Sequence, residues 1–287
     1  MTNTRTVILG SGGQLGSVLC EQLGAEAIGL DRQQLDITDY DLVAAKLREL
    51  KPQAVINTAA YTAVDLAEKD AERCGAINCD AVANLAAVCR QLDAVLVQVS
   101  TDYVFGRDTT HRTPYRENDP TGPQSEYARS KLRGEQRAAQ WRRHFIVRTC
   151  GLYTTPRPDR AFKNFVLTML RLGEQKKELR IVGDQLCTPS YVPQVAAAIR
   201  FLAGTEAYGT YHVVNGGATS WFDFAAEVFR QRGLDVKLEK IDTAAYGAPA
   251  ARPAYSVLDT SKYRALGGPE LPDWREGLQA FFRDLAG

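Results

Sequence analysis

The sequence predicts an α/β protein: a doubly wound parallel sheet followed by a smaller C-terminal lobe. Three observations carry that expectation. Residues 6–9 are a short apolar run that ends in a glycine-rich turn, passes into a helical pattern, and meets a second apolar run. Strand and helix candidates then alternate to about residue 150. Beyond that point Pro156, Pro158, Pro189 and Pro193 break the chain into shorter pieces. Strand, glycine turn, helix and strand make a βαβ unit, which requires parallel pairing through a right-handed crossover. Repeated units give an open sheet with helices on both faces.

In order, strands are expected at Thr6–Leu9 and Ala27–Leu30, with a helix between them built on Val18, Leu19 and Leu23. A helix at Tyr40–Leu50 leads to a strand at Ala54–Asn57, and a long helix over 74–92 leads to a strand over 94–100. A helix over 125–141 precedes a strand over 145–149. After the break, helical patterns cover 162–172, 195–202, 222–232 and 274–285, with strand candidates at 179–182 and 211–214. Residues 1–150 are thus read as one unit, joined by a segment from about 190–215, and residues 151–287 as mainly the second lobe. The Thr- and Pro-rich stretch 109–123 reads as a surface loop just before the 125–141 helix.

Composition narrows the partners. The 287 residues are 45% hydrophobic, enough for a substantial core, and 35 basic against 34 acidic side chains give a net charge of +1. Such balance offers no field to attract nucleic acid or an anionic membrane surface. The six cysteines (Cys20, Cys74, Cys79, Cys89, Cys150, Cys187) form no CxxC pair and are read as reduced and mostly buried. The apolar run at the N-terminus is too short for a signal peptide, and no stretch approaches the roughly 18 apolar residues of a membrane span. A cytoplasmic protein is expected.

Gly10, Gly13 and Gly16 form a GxxGxxG turn that also contains Gln14 and Leu15. Between a strand and a helix, such glycines allow a tight turn, close approach of backbone N–H groups to a pyrophosphate, and close helix–strand packing. This is the signature of a Rossmann-type dinucleotide site. Asp31 ends the second strand, where a carboxylate accepts from a ribose hydroxyl; Arg32 beside it suits a 2′-phosphate, so NADPH and NADH both stay open. Asp36 and Ile37 are candidates to border the adenine. Ala59, Ala60 and Tyr61, following Asn57-Thr58, lie at the carboxyl end of the third strand, where a ligand packs against small residues.

The chemistry is concentrated in Tyr127-Ala128-Arg129-Ser130-Lys131 and in Ser100-Thr101-Asp102-Tyr103-Val104-Phe105. Tyr and Lys at i, i+4 share one helical face. An ammonium beside a phenol is expected to lower the phenol from its usual value near 10, making Tyr127 a proton donor to a reduced carbonyl. Thr101 is placed to hydrogen-bond the same oxygen.

These segments, with Asn57–Asp65, Asn164-Phe165-Val166, Asp184-Gln185, Ser220-Trp221 and Arg252-Pro253, resemble the extended short-chain dehydrogenases/reductases. Within that superfamily the chain is most similar to the dTDP-4-dehydrorhamnose reductases, over nearly its whole length. The resemblance implies hydride transfer from NADPH or NADH to the C4 keto group of dTDP-4-dehydro-L-rhamnose, giving dTDP-L-rhamnose for polysaccharide biosynthesis. It implies Thr101, Tyr127 and Lys131 as catalytic residues, with Tyr127 and Lys131 also on the cofactor. It implies Thr101, Asp102, Tyr103 and Val104 at the sugar, in a C-terminal substrate lobe. Arg252 is a candidate for the diphosphate, or else a salt bridge. Two positions depart from the pattern: Gly151 stands where the family often has a Trp that packs on the sugar nucleotide, and Cys187 where Gly is common.

Other residues read as structural. Cys150 has no histidine to activate it, His212 lies in a strand, and Trp221 and Trp274 fit apolar helix faces as core residues. No metal is called for, and the oligomer is read as monomer or homodimer. The alternatives are another nucleotide-sugar reductase or epimerase on the same scaffold, or a non-catalytic subunit; elimination is argued against. A 4,6-dehydratase would need an acid pair after Thr101, where this chain has Asp102-Tyr103. A 4-epimerase would show no net redox change. A non-catalytic dinucleotide-binding subunit, resembling the regulatory subunit of methionine adenosyltransferase, would bind cofactor without turnover.

Overall fold

Val7 and Leu9 pack to one side of their strand and Ile8 to the other, and all three are fully buried. That alternation, repeated over 54–56 and 95–97, makes these apolar runs central strands with both faces covered. The computed structural model describes residues 5–158, 160–175 and 177–286. The strands are β1 (Thr6–Leu9), β2 (Ala27–Leu30), β3 (Ala54–Asn57), β4 (Val95–Thr101), β5 (His144–Thr149), β6 (Glu178–Val182), β7 (Leu186–Cys187), β8 (Gly209–His212), β9 (Thr219–Ser220) and β10 (Lys237–Ile241). Six of them form the main sheet in the order β2-β1-β3-β4-β5-β8, all parallel. The chain runs outward from β1 to β2 and then returns to β3 on the other side of β1. Ligands of such sheets bind at this reversal, outside the carboxyl ends of the strands.

The principal helices are α1 (Gln14–Leu23), α2 (Tyr40–Leu50), α3 (Val64–Ala67), α4 (Ala71–Gly75), α5 (Ala81–Leu92), α6 (Glu126–Ala138), α7 (Phe165–Gln175), α8 (Val192–Ala203) and α9 (Trp221–Arg232). After them come the short α10 (Thr243–Tyr246) and α11 (Ser261–Arg264), and α12 (Trp274–Ala286). One face of the sheet is covered by Val43 and Leu47 of α2, Val82 and Leu85 of α5 and Ala138 of α6. The other is covered by Leu15 and Leu19 of α1 and Val195 and Ile199 of α8. Residues 190–215 therefore return to the sheet, as α8 and β8. A separate cluster, with Tyr153, Phe224, Trp274 and Phe281 at its centre, is built entirely from residues after 150. Among the described residues no helix is long and apolar enough to cross a membrane.

The expected helix over 74–92 starts earlier, at Ala71, and carries a π-turn, Ala76–Asp80, that joins α4 to α5. The sequence reading passed over β10, whose Lys-Leu-Glu-Lys-Ile run has no apolar face and pairs in parallel with β6. The 109–123 stretch is anchored rather than superficial at its middle. Tyr115 is 3% exposed, and its N–H donates to the Val257 carbonyl at 2.8 Å. All six cysteines are free thiols, five of them buried.

Candidate active site

A cleft of about 1080 Å³ runs along the carboxyl ends of β1, β3, β4 and β5. The glycine turn forms one end. Gly10 has φ +80, and a Cβ there would lie 2.7 Å from the Ala59 nitrogen; one on Gly16 would lie 2.3 Å from the Gly10 carbonyl oxygen. Only glycine closes this turn. Thr58 Oγ1 bridges to the Leu9 carbonyl at 2.7 Å and locks the β3 loop onto it. The N-terminus of α1 meets the cleft at Gly13 with no side-chain cap, so its N–H groups and the positive end of its dipole suit an anionic diphosphate. A dinucleotide fits this cradle.

Gln14, Leu15, Asp31, Arg32, Asp36, Ile37, Ala59 and Ala60 all line the same cleft. Asp31 Oδ1 accepts from the N–H groups of Gln33 and Gln34, at 2.9 and 3.1 Å, and so shapes the turn after β2. Arg32 pairs with Asp36 at 3.5 Å on the open side. Tyr61 is not among the lining residues. Its backbone N–H and carbonyl are both taken by the buried Asn78 side chain, at 2.9 and 3.1 Å.

Helix α6 begins at Ser125, whose hydroxyl accepts from the Ala128 N–H, and presents Tyr127 and Lys131 to the cleft. Lys131 is 4% exposed, and its Nζ donates to the Val99 carbonyl at 2.6 Å. Burial lowers its ammonium to about 8, with Glu135 acting in the opposite direction. Glu135 is itself held by Arg148 Nη2 at 2.7 Å and by Ser100 Oγ at 2.5 Å, all three side chains being buried.

The phenol of Tyr127 differs from expectation. Burial pushes it above its ordinary value, and its hydrogen bond with Thr101 pulls it down only in part. The lowering expected from Lys131 is not among the effects on this phenol; that ammonium bonds to the Val99 carbonyl. Thr101 Oγ1 donates to Asp102 Oδ1 at 3.1 Å and accepts from the Tyr103 N–H at 3.2 Å. The Tyr103 ring stands edge-on to Tyr127, with centroids 6.2 Å apart.

Asp102, Tyr103, Cys150, Gly151 and Trp221 complete this end of the cleft. Asp102 is 2% exposed, its carboxyl is raised by burial, and Oδ2 accepts from Ser256 Oγ at 2.6 Å. The Cys150 thiol is pushed well up by its hydrogen bond to Cys187 and by burial, which keeps it out of the thiolate form.

A glycine turn, a strand-end threonine and a Tyr–Lys pair converge here on one cleft, and comparison with known proteins gives them a family. The model of the RmlD substrate binding domain matches residues 4–286. The chain belongs to that family. The spore coat polysaccharide biosynthesis protein SpsK of Bacillus subtilis (strain 168) is 37% identical over 287 residues, 98% of each chain. The dTDP-4-dehydrorhamnose reductase of Streptomyces griseus is 38% identical over 294 residues, 99% of this chain and 94% of that one. The crystal structure of dTDP-4-dehydrorhamnose reductase from Bacillus anthracis in complex with NADP superposes with a TM-score of 0.93. It is 38% identical and covers 98% of this chain and 99% of that one.

Within the RmlD family framework, two expected sugar-side residues lie elsewhere. Val104 is fully buried in an apolar cluster with Phe105, Tyr115 and Val257, and does not line the cleft. Arg252 is also outside the lining; its Nη2 pairs with Asp65 Oδ2 at 2.9 Å, tying the 244–258 segment to the loop after β3. Trp274 is a core residue at 1% exposure, whereas Trp221 is half-buried: it packs against the core and also lines the cleft. A Cβ on Gly151, which has φ +51, would lie 3.1 Å from Trp221 Cη2. The indole of Trp221, at the start of α9, lies against the Gly151 backbone.

Sequence reasoning missed Asn78. The π-turn swings it toward α6, where Nδ2 donates to Ser130 Oγ at 2.9 Å, and Ser130 in turn donates to the Tyr127 carbonyl at 2.7 Å. The only signal in the sequence was an Asn flanked by Ile77 and Cys79 within a helical pattern. His212 is structural, as expected. Its Nδ1 faces the Asp259 carbonyl at 3.1 Å and its Nε2 faces Arg148 Nη1 at 3.4 Å. Burial and that guanidinium push it down to about 3, so it stays neutral.

Proposed function

We propose that this protein is an NAD(P)H-dependent reductase of the C4 keto group of dTDP-4-dehydro-L-rhamnose, yielding dTDP-L-rhamnose. The observation that carries the reading is the convergence of Thr101, Tyr127 and Lys131 on the cleft that also holds the glycine turn. Full-length similarity to dTDP-4-dehydrorhamnose reductases supports the sugar nucleotide as the substrate class.

The dinucleotide supplies a hydride when bound. Gly10, Gly13, Gln14, Leu15 and Gly16 hold its diphosphate, Asp31 and Arg32 its adenine-side ribose, and Asp36, Ile37, Ala59 and Ala60 the neighbouring surfaces. Lys131 holds the other ribose. Tyr127 keeps its proton through neutral pH, because burial raises its phenol, and donates it to the oxygen at C4. Carbon gains the hydride and oxygen the proton, so ketone becomes alcohol with no water lost. The Lys131 ammonium keeps a positive charge on the helix face it shares with Tyr127, and Asp102 fixes the rotamer of Thr101. Trp221 and Tyr103 give the sugar two aromatic walls. Residues 151–287, less the 190–215 segment, are read as the substrate lobe.

The test is NADPH absorbance with dTDP-4-dehydro-L-rhamnose and with its UDP and GDP counterparts. Stoichiometric oxidation with the dTDP sugar is expected. Binding of cofactor with no oxidation on any of the three would favour a non-catalytic role instead.

A further inference from the structure

Residues 160–164, from the second half of the chain, lie across the glycine turn and touch it at two separate points. At one end Asn164 Nδ2 donates to Gln14 Oε1 at 2.8 Å, over the start of α1. At the other, Arg160 Nη1 donates to the Ser11 carbonyl at 3.0 Å. A Cβ built on Gly12 would stand 3.4 Å from Arg160 Nη1 and 3.5 Å from Asp31 Cβ. The guanidinium and the Asp31 side chain therefore share one face of Gly12, at the end of the cleft where the adenine-side ribose binds. Just before, Arg157 pairs with Glu21 of α1 and ties the crossing segment down.

We infer that Arg160 is a specificity-determining residue for the cofactor: it binds the 2′-phosphate and makes NADPH the preferred dinucleotide. The inference rests on the dinucleotide-dependent reading above. Asp31, Arg32 and Asp36 together carry one net negative charge, which by itself repels a phosphate and favours a free ribose hydroxyl. Arg160 brings a second guanidinium to this end of the cleft, beside Gly12 and the Asp31 side chain. A guanidinium offers a planar fork matched to phosphate oxygens, and its bond to the Ser11 carbonyl fixes where the fork lies. The diphosphate is met elsewhere, at the α1 end of the crossing segment. Loss of Arg160 should therefore separate the two cofactors, which differ only in the 2′-phosphate.

The experiment titrates the full chain and its Arg160→Gln and Arg160→Lys variants with NADPH and with NADH, following nucleotide fluorescence, with melting temperature as the check on folding. The wild-type protein should bind NADPH more tightly. Arg160→Gln should weaken NADPH by about tenfold or more and NADH by less than about threefold. Arg160→Lys, which keeps the charge but not the fork, should fall between. If Arg160→Gln melts early, the lysine variant carries the test, and its NADPH to NADH affinity ratio must still drop. Equal weakening of both cofactors, or an unchanged ratio, overturns the assignment of Arg160 alone. A wild-type protein that binds neither dinucleotide overturns the functional reading as well.

Discussion

Trp221 and Gly151 share one volume: the indole Cη2 comes within 3.1 Å of where a Gly151 Cβ would stand. A Cβ there would press on the ring, and the φ of +51 also favours glycine. Phe165 holds the indole from behind, with ring centroids 4.8 Å apart. If Trp221 is the aromatic wall for the sugar, Trp221→Ala raises KM for the sugar nucleotide by about tenfold and leaves the dissociation constant of NADPH unchanged. Trp221→Phe recovers most of the loss. Steady-state kinetics with a separate cofactor titration check this, and an unchanged KM would assign Trp221 to packing alone.

Glu135 and Arg148 form a buried ion pair behind Lys131, at 4% and 6% side-chain exposure. Removing one partner strands the other charge away from water. Glu135→Gln is expected to destabilise the fold by about 3–5 kcal/mol, measured by urea unfolding. A double replacement by apolar residues of similar volume should recover a large part. A loss under about 1 kcal/mol for Glu135→Gln would mean that water reaches Arg148.

The pH profile follows from two groups shifted in opposite directions. Tyr127 is raised and keeps its donor proton at neutral pH, whereas Lys131 is lowered to about 8 and loses its charge as pH rises through that value. The kcat/KM for reduction should be flat across neutral pH, then fall about tenfold per unit above the Lys131 value. In Glu135→Gln the neighbour that raises Lys131 is gone, so this limb should move to lower pH. A profile flat well past pH 9 would separate Lys131 from the reaction.

Much of this was legible in the sequence, for physical reasons. Central strands with both faces buried wrote themselves as apolar runs: Thr6–Leu9 and Ala54–Asn57 were read to the residue, as was the half-buried edge strand Ala27–Leu30. The glycine turn and the Tyr127–Lys131 spacing are local, so chain order displays them. What was missed depends on contacts between distant segments. The partner of Arg252 is Asp65, the space taken by Trp221 is left by Gly151, and Arg160 meets Ser11 only after the chain has folded back. Asn78 was hidden because the π-turn changes the helical period at that point. The direction of the Tyr127 shift was misjudged because sequence spacing shows the lysine but not the burial.

The central claim is that Tyr127 delivers the proton. Tyr127→Phe removes one oxygen from a side chain packed edge-on against Tyr103 and leaves the backbone bond to Ser130 in place. The decisive measurement is NADPH oxidation with dTDP-4-dehydro-L-rhamnose by this variant, beside its dissociation constant for NADPH. A loss of turnover of about a hundredfold or more with cofactor binding retained is the predicted result. Turnover within a few-fold of the wild-type protein would contradict it.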